Sequence, residues 1–352
     1  MSSPSDFDHF TPKQIPLYCP ISPAYHPGES AAQTQAIEWM DRRRLFDNTG
    51  IDRERVLATG SARAAGSMIP AAPEELLLLH ASYLYLGFSI DDLFDRGPLG
   101  QRRRSYRKIS PKLAHLLESP LAEHDEEDPL LSSFATLRQQ IAMNSTGTQI
   151  RLWSSAFEAW LLGVAWELDF THRSSDFSLD DYLIQRLYSG AARAAIVSVE
   201  ICGGGGELPA EEREMPSVAA MGQAAGLLIN LHADLFSYAG EKSHNIVNVL
   251  TRSEGGLQPG INRSIELCNR IMGLFVRLHE QTAADVSPPT QKYLKNLGHM
   301  ISGNLQWCYE SARYRRSPAR APLLCRDRVG DEFLAASPCP SIAWWWEVGR
   351  RD

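Results

Sequence analysis

Residues 74–95, EELLLLHASYLYLGFSIDDLFD, constrain the fold more than any other stretch of this chain. Pro73 stands at the favoured start of a helix that runs from Glu74 to about Asp95. The helix is strongly apolar, so it belongs in a protein core. Its longest apolar run, LLLLHASYLYLGF, has 13 residues and contains His80, too short for a bilayer, which takes about 20. The helix then ends in Asp91, Asp92 and Asp95. Asp91 and Asp95 are i and i+4 and project from one turn. Two carboxylates this close repel unless a cation sits between them.

The rest of the chain also reads as helical. Alternating strand patterns are scarce, and no glycine-rich strand-to-helix fingerprint occurs. Helices are expected at 33–47, 130–143, 148–172, 178–189, 191–201, 215–240, 262–282 and from Pro288–Pro289 to Tyr314. Within 148–172, Trp153, Phe157, Trp160 and Val164 recur at helical spacing. Ser178 and Asp181 form a capping-box-like start. Gly190 interrupts the helix that follows, and CGGGGELP (202–209) reads as a flexible connection. Arg102, Arg103, Arg104, Arg107 and Lys108 read as a solvated loop, with a loop that helps draw in diphosphate as the minor alternative. No internal repeat or linker divides the 352 residues, so one all-α domain is expected, with the Pro- and Arg-rich tail 315–352 as a cap.

Composition narrows the function. The net charge of −7 disfavours non-specific binding to nucleic acid through phosphates. The six cysteines (Cys19, Cys202, Cys268, Cys308, Cys325, Cys339) contain no CxxC pair, which argues against a zinc site and fits reduced thiols. The amino-terminal residues are polar and Pro-rich, without an apolar signal region. A cytoplasmic protein with no membrane partner is expected.

Three groups carry chemistry. The first is DDLFD (91–95), a set of hard oxygen ligands that suits Mg²⁺. The second is DLFSYAGE (234–241), which places Asp234, Ser237 and Glu241 on one helical face. That face lies within an apolar helix, and buried carboxylates need partners. The third is cationic: Arg186, and Arg313 beside Tyr314. Arginine forks match phosphate oxygens. Taken singly, each group also reads as a solvated face or helix end. Together they describe a metal–diphosphate site above an apolar helical core.

In order and spacing these groups resemble the class I terpene cyclases, in their short single-domain fungal and bacterial form, over about residues 60–314. DDLFD looks like the family's Asp-rich motif. Arg186, Ser189 and Gly190 match its diphosphate sensor, linker and effector at a helix break. DLFSYAGE is similar to the second metal motif, and Arg313–Tyr314 to the carboxy-terminal Arg–Tyr pair. The motif's usual Asn falls on Ala233, which has no ligand atom, and the Lys that often precedes its Glu falls on Gly240. Asp234 is the expected substitute ligand, with Asn230 behind it, and Lys242 stands in for the missing Lys.

The resemblance implies a site. Metal ligands would be Asp91, Asp92, Asp95, Asp234, Ser237 and Glu241. Arg186, Arg313, Tyr314 and Lys242 would bind diphosphate. Arg186, Gly190, Phe88 and Trp307 would serve the chemistry, the two aromatics by facing a carbocation. It implies three Mg²⁺ ions with bound diphosphate, an isoprenyl diphosphate as substrate, and allows a homodimer. The implied reaction is ionisation and cyclisation, with farnesyl diphosphate giving a sesquiterpene and pyrophosphate; C10 and C20 substrates are the alternatives. A chain-elongating prenyl diphosphate synthase would carry two DDxxD motifs, and one is present. A non-catalytic helical protein that kept the fold is the remaining alternative, motivated by Ala233 and Gly240.

Overall fold

The computed structural model describes residues 15–119, 127–170, 177–238, 244–314, 322–325, 330 and 335–350. The described residues are overwhelmingly helical, as expected. The contacts divide the chain into two compact units that interleave along the sequence.

One unit comprises Ala24–Asp169 and Tyr188–Glu207. It holds α1 (Glu29–Arg42), α2 (Arg53–Thr59), α3 (Ser61–Met68), α4 (Glu74–Asp95), α5 (Leu99–Glu118), α6 (Pro129–Met143), α7 (Gly147–Phe170) and α9 (Ala192–Cys202). The hub is α4, with α1, α2, α3, α5, α6 and α9 packed around it. Its side chains from Leu77 to Leu86 are buried apart from the half-buried Leu78, and Ile90 and Phe94 carry that burial to the acidic end. Trp153, Phe157 and Trp160 are all buried on α7 and form a ring network with Phe134, Tyr83 and Phe94. That aromatic stripe is therefore core.

The residues from Arg102 to Lys108, read as a solvated loop, belong to α5. Ser110, Leu113, Leu116 and Leu117 bury one of its faces, so the arginines lie on a helix whose apolar residues come later in sequence. A glycine on α7 allows one close approach. A Cβ on Gly163 would lie 2.6 Å from the Ser189 backbone nitrogen.

The other unit comprises residues up to Pro23, Phe170–Leu187 and Leu208–Asp352. It holds α8 (Leu179–Ser189) as far as Leu187, α10 (Ala210–Arg213), α11 (Pro216–Ser237), α12 (Ile246–Ser253), α13 (Leu257–Thr282), α14 (Pro288–Glu310) and α15 (Ala343–Val348). A buried α11 packs on α13 and α14, with α15 against it. Strand β1 (Ile15–Tyr18) pairs in parallel with β2 (Pro322–Cys325), the strands that the helical reading missed. The Asn269 side chain holds β1, accepting from the Tyr18 N–H at 2.7 Å and donating to Pro16 O at 3.1 Å. In the tail, Trp345 and Trp346 are buried on α15.

No helix among the described residues is long and apolar enough to cross a membrane. The free cysteines Cys19, Cys202, Cys268, Cys308 and Cys339 are buried.

Candidate metal and diphosphate site

The first donor set closes α4. Phe88 and Asp91 are half-buried, Phe88 one turn ahead of the acidic end. Asp92 meets Arg55 of α2 in a two-point pair, Nε to Oδ2 at 2.6 Å and Nη2 to Oδ1 at 2.9 Å. Arg102 of α5 donates to Asp95 Oδ1 at 2.8 Å and to the Phe94 carbonyl at 2.9 Å. Three carboxylates at a helix carboxy terminus, where the peptide dipoles already concentrate negative charge, need cations. Two arginines supply part of that charge. The remaining oxygens are hard donors of the kind Mg²⁺ takes in small number, completing its shell with water and substrate phosphate. The carboxylates at this helix end are thus of the chemical type that suits a divalent metal. Asp92, expected at the metal, directs both oxygens to Arg55.

The second donor set gathers around α8 and α11. Asp234, only 1% exposed, accepts Nη2 of Arg186 at 2.8 Å, the Tyr182 hydroxyl, and the Ile246 N–H at 3.3 Å. Burial pushes its carboxyl upward, opposed by Arg186, Tyr182 and the Ile246 amide. Asn230, weighed as a distant substitute ligand, donates its side-chain amide to the Arg186 carbonyl at 2.9 Å. That carbonyl lies in the last turn of α8, where intrahelical donors run out. Asn245 caps α12 through Val247 N–H at 2.9 Å. Its amide also donates to the Asp234 carbonyl at 2.8 Å and to Ser237 Oγ at 3.4 Å. Glu241 and Lys242 lie outside the described residues, as does Gly240. Asp234, expected as the substitute metal ligand, is turned inward onto protein donors. The physical reason is its burial, which an unpaired carboxylate does not tolerate.

The helix break falls at Gly190–Ala191, as the sequence indicates. The left-handed residue there is Ala191 (φ 58°), with Gly190 in ordinary backbone space. In the unit that contains the break, the Ser189 carbonyl accepts the Trp160 indole N–H at 3.1 Å. Beyond α14, a single 3₁₀ turn (Ala312–Tyr314) carries Arg313 and Tyr314. Its start is held by Ser311, whose Oγ accepts the Arg313 N–H at 3.2 Å. Trp307 is buried and meets Tyr314 edge-on at 5.5 Å. The buried Cys308 thiol is pushed up by desolvation while it feels the charges of both Arg313 and Asp234.

The sequence reading missed Arg55, Arg102, Tyr182 and Asn245. Tyr182 was findable, being i and i+4 with Arg186 on one helix. Arg55 and Asn245 carry no such signal, since their partners lie more than one helical turn away in sequence. Among the described residues, no group of three or more His, Cys, Asp or Glu side chains comes together.

The family model for terpene synthase family 2, C-terminal metal binding, matches residues 82–272. The chain is 28% identical to spiroviolene synthase from Streptomyces violens, over 94% of this chain and 96% of that protein. It is 27% identical to a diterpene cyclase from a Streptomyces species, over 94% and 95%. It is 25% identical to the (+)-T-muurolol synthase of Streptomyces clavuligerus, described as cyclizing (2E,6E)-farnesyl diphosphate, over 94% and 82%. The crystal structure of the SVS_A2 protein from ancestral sequence reconstruction superposes with a TM-score of 0.83 at 31% identity, covering 96% of this chain and 99% of that one.

Proposed function

The chain belongs to the terpene synthase family as a class I terpene cyclase, and from that premise we propose that it ionises and cyclises a linear isoprenyl diphosphate with release of pyrophosphate. The observation that carries this reading is the arginine held at 2.8 Å from a buried aspartate. Fixed guanidinium donors favour the charge that develops on a departing diphosphate, and they need no reorganisation when it forms.

Arg186 and Arg313 bind and orient the diphosphate, with Tyr314 beside Arg313 on the same 3₁₀ turn. Asp91, Asp95, Ser237 and Glu241 hold magnesium, which when bound neutralises the diphosphate and favours its departure. Lys242 adds charge on the same segment. Asp92 and Arg55 set the end of α4 that presents Asp91. Phe88 and Trp307 offer aromatic faces to a carbocation, and Gly190 marks the helix interruption beside Arg186. The reaction is that of a cytoplasmic enzyme.

Farnesyl diphosphate, with a sesquiterpene product, is the leading substrate; the relative named for farnesyl diphosphate cyclization supports it. A C20 substrate is the second reading, supported by the relative named as a diterpene cyclase. The deciding experiment incubates the protein with C10, C15 and C20 diphosphates, with and without Mg²⁺. Hydrocarbon and alcohol products are identified by mass spectrometry, and pyrophosphate is quantified. A metal-dependent cyclic product from the C15 substrate is expected. No turnover of any of the three would overturn the reading.

A further inference from the structure

We infer that Asp234 and Tyr182 are positioning residues for Arg186, so that the acidic residue of the second motif holds an arginine and binds no metal. The inference rests on the reading of Arg186 as a diphosphate donor.

Four observations carry it. First, both oxygens of Asp234 are engaged: Oδ1 by Arg186 at 2.8 Å, and Oδ2 by the Tyr182 hydroxyl and the Ile246 N–H at 3.3 Å. A dication brought to this carboxylate would also face the guanidinium, and like charges repel. Second, Tyr182 and Arg186 stand i and i+4 on α8 and converge on one carboxylate. The helix therefore presets the pair. Third, Arg186 is held at its backbone as well, since Asn230 donates to its carbonyl at 2.9 Å. Fourth, the Asp234 side chain is 1% exposed while that of Arg186 is 16% exposed. The carboxylate is sealed, and part of the arginine is left accessible.

The arrangement explains why Asp234 cannot stand in for the side chain missing at Ala233. Its position on α11 is right, but its charge is already matched within the protein. What it supplies is orientation. An arginine fixed before the substrate arrives acts on the charge formed during ionisation, so its loss appears in kcat more than in KM.

The test uses the full chain and the variants Asp234→Asn, Tyr182→Phe, Arg186→Gln and the double variant Asp234→Asn/Arg186→Gln. Asn preserves the shape of Asp234 and removes its charge. Each variant is assayed for kcat, KM and the Mg²⁺ concentration giving half-maximal rate, with a melting curve on the same sample. A lost charge-assisted hydrogen bond predicts a fall in kcat of about tenfold or more for Asp234→Asn. KM should change much less, and the Mg²⁺ requirement should stay within about twofold, the range expected when no metal ligand is lost. The double variant should fall no further than Arg186→Gln alone, because residues acting through one contact are not additive.

A many-fold rise in the Mg²⁺ requirement of Asp234→Asn would overturn the inference and make Asp234 a ligand. A full additional loss in the double variant would also overturn it, since Asp234 would then act apart from Arg186. If Asp234→Asn does not fold, Tyr182→Phe decides, because it deletes one hydroxyl and keeps the ring that meets His244 at a tilt, 5.0 Å between centroids. A folded Tyr182→Phe with parental kcat would refute the clamp. Failure of the functional reading looks different: the parent itself turns over no isoprenyl diphosphate. Calorimetry with Mg²⁺ and pyrophosphate then still tests the contact. Equal weakening by Arg186→Gln, Asp234→Asn and the double variant supports it, and unchanged binding by Asp234→Asn overturns it.

Discussion

Arg55 grips Asp92 through two parallel hydrogen bonds, 2.6 and 2.9 Å, joining a helix far upstream to the acidic end of α4. Asp234 stands in a similar relation to Arg186 on the other donor set. Each acidic segment thus commits at least one carboxylate to an internal arginine. A negative helix end gains a fixed counter-charge, and the neighbouring donors gain a fixed backbone.

Arg55→Gln should therefore cost stability as well as turnover. The Asp92 side chain is 13% exposed, and leaving a largely buried carboxylate short of its charged partner costs about 1–3 kcal/mol. Urea unfolding of the parent and variant measures the loss. Equal midpoints and slopes would show that Asp92 finds other partners.

Asp91→Asn should abolish most turnover while leaving the fold intact. Asp91 is half-buried on the last turn of α4, beside two carboxylates already held by arginines. Product formation and circular dichroism on one preparation check it, and near-normal turnover would remove Asp91 from the metal donors.

Gly163→Ala should be strongly destabilising. The added methyl group would stand 2.6 Å from the Ser189 nitrogen and 2.7 Å from the Tyr188 carbonyl carbon, both backbone atoms. Overpacking against backbone costs about 1–3 kcal/mol or more. Thermal melts report it, and a melting temperature within error of the parent would contradict the close approach.

Ala191→Gly should stabilise the protein. Ala191 is held at φ 58°, where its Cβ crowds the following carbonyl. Relief is worth about 1 kcal/mol, less the extra freedom that glycine gives the unfolded chain. A raised unfolding midpoint is expected, and a lowered one would count against strain at this residue.

Stability should fall as pH drops from 7 towards 4. Burial depresses His80 to about 3 and His232 to about 4 from an ordinary value of 6.5. Below 6.5 the unfolded chain binds protons that these folded-state rings refuse, so acid favours unfolding. Each ring contributes a slope of up to about 1.4 kcal/mol per pH unit between its unfolded and folded values. Denaturant midpoints across this range, for the parent and for His80→Gln, test the slope. A pH-independent midpoint in the parent would refute it.

Much was legible in the sequence because it depends on short-range periodicity. The span of α4 follows from its apolar run and the Pro73 before it, and the break at Gly190–Ala191 from a glycine between two helical patterns. The spacing of the acidic and basic groups along the chain suffices to identify the family. Helices α2, α3, α5 and α12 were not legible, being short or masked by charge. Neither was the pairing of β1 with β2, whose strands come from opposite ends of the chain.

At the site, sequence determined which residue types are present, and tertiary structure alone decided what each one does. Asp92 and Asp234 carry the same carboxylate as Asp91, at positions that helical geometry permits for a metal. Asp92 meets Arg55 from α2, and Asp234 meets Tyr182 and Arg186 from α8. Helical spacing states which side chains share a face. Only packing states what that face meets, and a buried carboxylate takes its role from the nearest donor that can offset the loss of water.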